Sequence, residues 1–185
     1  MVPTKDIPFD RSVYLFEIDD VLYPKRDYLL QIYYLFSNFV EYTEGRALAK
    51  ELLEFMRQTY EGIGEDVVLE RAIQRFELPD AYRENFERLK VNAHLPLKLI
   101  LDVQAKELLT TFFQHGKQVG ILTAGNPVEQ LNKLKHVDWE ELSTYLPQLK
   151  VFFIDELTFR GLDPIGFLEE TYAVDRDQIF QITSV

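Results

Sequence analysis

Apolar residues fall along this chain in two rhythms. Residues Ser12 to Ile18 read Ser-Val-Tyr-Leu-Phe-Glu-Ile, a short and nearly unbroken run rich in β-branched and aromatic side chains. That pattern predicts a strand buried on both faces. It stops at Asp19 and Asp20, followed by Val21-Leu22-Tyr23-Pro24. From Lys25 to about His94 the spacing becomes helical. Leu29, Ile32, Tyr33, Phe36, Phe39 and Val40 form one stripe, and Leu48, Leu52, Phe55 and Met56 a second. Val68, Leu69, Ala72, Ile73 and Phe76 form a third, with a weaker fourth over Tyr82, Phe86 and Leu89. Gly45, Gly62, Gly64 and Pro79 separate them, so this block predicts about four helices and no strand.

After Pro96 strands and helices alternate. Asp102 predicts a helix cap, with the helix running to about His115 and ending at Gly116. Gln118–Leu122 reads as a strand. Asn126-Pro127 opens the next helix, and Glu129 completes a pattern resembling a capping box. Lys150–Ile154 is a strand, Asp163-Pro164 starts a helix to about Tyr172, and Gln178–Ile182 is the last strand. Strands alternating with helices imply a parallel sheet with right-handed crossovers. The helical block is then an insertion after the first strand. Such sheets bind ligands beyond the carboxyl ends of their strands. Here those ends are Glu17–Asp20, Thr123–Asn126, Asp155-Glu156 and Thr183-Ser184.

At 185 residues the chain has the size of one domain, or one domain with an insertion. Lys plus Arg is 20 against 31 Asp plus Glu, a formal net charge of −11, which opposes any general attraction to nucleic acid or to an anionic membrane. An anionic substrate would need a local cation. With no cysteine there can be no disulfide, thiolate metal site or cysteine nucleophile. No apolar run approaches a membrane span, and Met1–Arg11 lacks the apolar stretch of a signal peptide, so a cytoplasmic location is expected.

Phe-Glu-Ile-Asp-Asp-Val-Leu-Tyr-Pro, residues 16–24, resembles the first motif of the haloacid dehalogenase-like (HAD) superfamily, in the subgroup with a helical cap after strand one. Ile121-Leu122-Thr123-Ala124-Gly125-Asn126 resembles its second motif, and Val151 to Ser184 follows the later part of that fold in order and spacing. The resemblance covers nearly the whole chain. It implies an α/β core made of residues 1–24 and 95–185, with a parallel Rossmann-type sheet and helices on both faces, and an all-α cap at 25–94. Phosphatases of that superfamily attack phosphorus with an Asp, and an Asp two residues later serves as general acid/base. A Ser or Thr and a Lys hold the phosphoryl oxygens, and acids after the fourth strand help bind Mg²⁺. Carried over, Glu17 stands at the nucleophile position, Asp19 at the acid/base position and Thr123 at the phosphoryl hydroxyl position. Thr123, Ala124, Gly125 and Asn126 form the phosphate-binding loop. Mg²⁺, held weakly, would take Glu17 and the main-chain carbonyl of Asp19, with waters completing its shell. The lysine position falls at Arg160 or Gly161, so either Arg160 substitutes with altered spacing or the cation is missing. The fourth-motif acid aligns with Thr183-Ser184, and neither is acidic.

These departures imply a damaged site. Glu exceeds Asp by one methylene, ~1.5 Å of reach, and misplacing a reacting group by ~1 Å can cost about a hundredfold. The expectation is a pseudo-phosphatase with a binding or interaction role. The alternative is a weak Mg²⁺-dependent hydrolase of a small phosphoester. Blander readings stand beside these. Glu17, Asp19 and Asp20 alone would pass for a solvated turn, capping alone explains Asn126, and Arg160 fits an exposed loop. His94, His115 and His136 lack ligand spacing and read as scattered surface residues, and Trp139 has no assigned role. Tyr28, Tyr33, Tyr34, Phe36, Phe39 and Tyr42 exceed the needs of one helix face. They would fill the cap core, or else form an oligomer surface or an apolar pocket.

Overall fold

In the computed structural model residues 7–184 are described, so the reading of Met1–Asp6 lies outside them. The chain divides into two compact units. One runs through Lys25 and resumes at Lys98, and the other spans Arg26–Leu97.

The first unit begins with β1 (Val13–Phe16), all four residues buried. The second unit is helical: α1 (Lys25–Glu44, whose first residue closes the first unit), α2 (Ala49–Gly62), α3 (Val68–Phe76) and α4 (Tyr82–Asn92). Its interior is aromatic. Phe86 packs edge-on to Phe36 at 5.2 Å and lies 6.2 Å from Tyr33, and Tyr28 donates its hydroxyl to the Lys90 carbonyl. Tyr34 and Tyr42 are exposed. The first turn of α2 has no cap from its own N-terminal residue. Glu41 of α1 instead accepts from the Leu48 and Ala49 N–H groups, at 2.9 and 2.7 Å.

The first unit then continues through β2 (Leu99–Ile100), α5 (Val103–Gln114), β3 (Gln118–Thr123), α6 (Pro127–His136) and β4 (Val137–Asp138). A 3₁₀ segment (Glu140–Gln148) precedes β5 (Lys150–Phe153), α7 (Ile154–Phe159), α8 (Pro164–Tyr172) and β6 (Ile179–Ile182). The main sheet has the order β5-β3-β1-β6, every pairing parallel, with β1 central. The predicted caps are in place: Asp102 on α5, Asn126 on α6 and Asp163 on α8 each accept backbone N–H groups. The small β2–β4 sheet, the 3₁₀ segment and α7 carried no readable pattern. Two-residue strands and single-turn helices are too short to show a period. Ile154, expected in a strand, opens α7. Strand β6 is only half-buried over Ile179–Gln181, because it has a single neighbour in the sheet.

The register aligns the strand ends. Phe16 sits opposite both Ile121 and Ile182, and Thr123 opposite Phe153. Chain leaving β1, β3, β5 and β6 therefore emerges on one side of the sheet, where Glu17, Ala124 and Ile154 begin their turns.

Candidate functional site

Glu17 is the first residue past β1. Its own N–H donates to the Ile182 carbonyl at 3.0 Å, so the backbone is still tied to the sheet. Its Oε1 accepts from the Thr123 hydroxyl and from the Ile18 N–H at 3.0 Å. Thr123 is wholly buried at the end of β3. Burial pushes the Glu17 carboxyl above its ordinary range. The hydrogen bonds from Thr123 and Ile18 oppose that rise, and the nearby charge of Asp19 adds to it.

A raised carboxyl holds its proton more tightly in the folded chain. Its stabilising contribution is therefore fully present below the ordinary carboxylate value, about 4.3, and is lost as pH rises through the raised value. Glu17→Gln is neutral at every pH and keeps an oxygen for Thr123. We expect it to melt above wild type at neutral pH and to converge with wild type at acid pH. Melting curves whose separation does not shrink on acidification would contradict this.

Asp19 faces a partner that the sequence did not reveal. Lys133 of α6 places Nζ 3.0 and 2.7 Å from the two Asp19 carboxylate oxygens, and 3.0 Å from Glu129 Oε1 one turn earlier. Only 1% of the Lys133 side chain is exposed. Glu129 thus spends its carboxylate on Lys133 rather than closing a capping box. Helix α6 is also turned polar face inward: Gln130, Lys133 and His136 are buried, whereas Val128 and Leu131 are about half exposed, at 53% and 51%. His136 is therefore not a surface histidine. Its Nδ1 donates to the Asn132 carbonyl at 2.8 Å.

The loop after β3 is internally satisfied as well. The Ala124 carbonyl accepts from Gln130 Nε2 at 2.8 Å, and the Gly125 N–H donates to Asp155 Oδ2 at 2.7 Å. Asn126 spends its side chain capping Val128. Asp20 has a left-handed backbone, φ 61°, and caps the start of α1 through the Lys25 N–H at 2.8 Å. Arg160 stands apart from these pairings. It lies just past α7, more than half exposed, 3.7 Å from Glu156 of its own helix, and no hydrogen bond joins it to Glu17, Asp19 or Thr123. Its loop ends in Gly161 with φ 71°, a short surface turn. The buried cation beside these carboxylates is Lys133. Spacing from the later motif could not find it, because it comes from a different element.

The implied Mg²⁺ finds a poor ligand set here. That ion wants several oxygen ligands in near-octahedral array. One Glu17 oxygen is taken by two donors, and both Asp19 carboxylate oxygens face an ammonium, which leaves Asp19 only its main-chain carbonyl to offer. Thr183 and Ser184 contribute no carboxylate. Among the described residues no group of three or more acidic, histidine or cysteine side chains could hold a metal ion. The residues present do not fit the ion. Among the described residues, no helix is long and apolar enough to cross a membrane.

No protein-family model matches the chain, and no curated protein matches it. Solved structures do. A putative beta-phosphoglucomutase from Thermotoga maritima superposes with TM-score 0.56 at 16% identity, over 92% of this chain and 74% of that one. A dehalogenase solved with an intermediate complex gives 0.49 at 17% identity, over 95% and 77%. A haloacid dehalogenase-like family hydrolase from Xanthomonas campestris gives 0.48 at 14%, over 94% and 74%. With the parallel sheet, the central β1 and the helical unit inserted after it in the sequence, the chain has the haloacid dehalogenase-like hydrolase fold.

Proposed function

We propose that this chain is a non-hydrolysing binding or interaction protein built on the HAD-like fold. The reading is carried by one observation: polar groups at the strand ends are already paired within the chain. Thr123 donates to Glu17, Lys133 holds Asp19, and the Gly125 N–H holds the Asp155 carboxylate. That backbone N–H belongs to the loop which, by resemblance, would cradle a phosphoryl oxygen, and a carboxylate of the same chain already occupies it. Charge supports the same reading. Two carboxylates, Asp19 and Glu129, flank the one buried ammonium, Glu17 and Asp155 stand at neighbouring strand ends, and an excess of carboxylates repels a phosphate dianion. A nucleophile must also be free to approach phosphorus, whereas Glu17 is held at Oε1 from two sides.

The test is a phosphatase assay with Mg²⁺ over a panel of small phosphoesters. No turnover above background is expected. Mg²⁺-dependent hydrolysis abolished by Glu17→Gln would overturn the reading in favour of a weak phosphohydrolase. Attempts at repair have a specific difficulty. Restoring a lysine as Gly161→Lys puts a side chain at φ 71°, which only glycine adopts without strain. Glu17→Asp with Ser184→Asp, keeping Lys133 as the cation, is the cleaner design. Because such groups act as a unit, Glu17→Asp alone is expected to recover little.

A further inference from the structure

The carboxylate of Asp19 already has a cation, supplied by an inward-facing lysine of α6. We propose that the Lys133 ammonium is the permanent counter-cation of the strand-end carboxylates, standing in charge for a divalent metal, so that the native chain takes up no Mg²⁺ or Mn²⁺ there and gains a site for them only when Lys133 is removed.

Three observations support this. The first is coordination: Nζ lies within 3.0 Å of both Asp19 oxygens and of Glu129 Oε1, three carboxylate oxygens from two residues about one point. Oxygens converging on a point is how a protein presents a cation site, and here the cation is covalently attached. The second is the orientation of α6. Apolar residues normally turn inward and lysines outward. Here Val128 and Leu131 face out while Lys133 is 99% enclosed, an orientation that sacrifices apolar burial and is favourable only because the ammonium is paired. The third is that the described residues offer no competing ligand set: Thr183 and Ser184 carry no carboxylate, and one Glu17 oxygen is engaged by Thr123 and Ile18. A divalent ion placed against Asp19 would meet the fixed positive charge of Lys133 at short range.

This inference deepens the non-hydrolytic reading of the same site, but its test does not depend on turnover. The full chain, its Lys133→Met variant and the Lys133→Met/Asp19→Asn double variant are titrated with Mn²⁺, free ion being followed by electron paramagnetic resonance, and with Mg²⁺ by thermal shift. The native chain is expected to show no saturable site at millimolar metal. Lys133→Met is expected to gain one site, at least roughly tenfold tighter than any residual binding, since freed carboxylates recruit the missing charge. The double variant is expected to lose it. A native site that Asp19→Asn abolishes would overturn the proposal, as would a folded Lys133→Met variant that gains none. Should Lys133→Met fail to fold even with metal, the native protein still decides. The ammonium resonance of Lys133, protected by burial, should be untouched by Mn²⁺, and its selective paramagnetic broadening would overturn the proposal. Metal-free hydrolysis by the native chain would sink the functional reading and leave this one standing. Metal bound at Asp19 would sink this one whatever the turnover.

Discussion

Asp19→Asn is expected to destabilise the first unit by about 2–3 kcal/mol, below the ~3–5 kcal/mol for stranding a buried charge, because Glu129 remains beside Lys133 and Asp19 is partly open to water. For a chain of this length that is a fall in Tm of roughly 5–10 °C. The loss arises mainly from the ammonium left behind. Lys133 is enclosed on an inward-facing helix surface and cannot reach solvent without α6 moving. Lys133→Met should cost less, about 1–2 kcal/mol, since Asp19 and Glu129 are both closer to water than Lys133 and can hydrate. The double variant Asp19→Asn/Lys133→Met removes both charges. It should lie well above the sum of the two losses, giving a coupling of ~1.5 kcal/mol or more. Strict additivity in this cycle, read by thermal or denaturant melting, would mean that the pair contributes nothing to the fold.

Gly120→Ala should be the most damaging small substitution in the sheet, costing about 2–3 kcal/mol by overpacking. Gly120 lies inside β3, and a Cβ built on it runs into the Tyr172 hydroxyl, approaches Leu15 Cδ2 to 2.9 Å and the Lys150 carbonyl to 3.2 Å. The last of these is backbone of the neighbouring strand and cannot retreat. The cluster around it, Val13, Leu15, Leu122, Leu168 and Tyr172, is closely packed. The obstruction has a removable part. The Tyr172 hydroxyl is buried without a hydrogen-bond partner, and burial pushes it up to about 12. Tyr172→Phe therefore discards an unsatisfied polar atom, and should itself stabilise by about 1 kcal/mol. Combined with Gly120→Ala it should restore most of the lost melting temperature. If the double variant melts no higher than Gly120→Ala alone, the clash lies with the backbone and not with the tyrosine.

What the sequence revealed and what it hid divide along physical lines. The runs at Val13–Phe16 and Gln118–Thr123 were readable because a strand buried on both faces needs uninterrupted apolar residues. Asp102, Asn126 and Asp163 were readable because a cap is a local event within three residues. The approach of Glu17 to Thr123 followed from strand ends and parallel connections, with the resemblance behind it. Lys133 was hidden. Its partner Asp19 is 114 residues away, and the Glu129–Lys133 spacing looks like any surface ion pair of a helix. The one available signal was weak: Gln130, Lys133 and His136 recur at three-residue intervals, opposite Val128 and Leu131, and the usual inside-outside rule assigns that face to solvent. For Arg160 the blander reading, an exposed loop, agrees with its exposure. Motif spacing placed a cation where the chain makes an exposed turn.

The reversed polarity of α6 has a consequence for how this segment tolerates change. In a saturation-mutagenesis screen, hydrophobic positions ordinarily form the intolerant stripe of a helix and charged positions the permissive one. Here the two profiles should trade places. Val128 and Leu131 should accept lysine, glutamate or serine at little cost, and replacements of Gln130 and Lys133 should each carry a cost, aliphatic ones included. Selection on such a helix preserves a polar triad and lets the apolar residues drift. Among descendants of this sequence, the hydrophobicity of the segment would then be its least durable property, and the lysine its most durable.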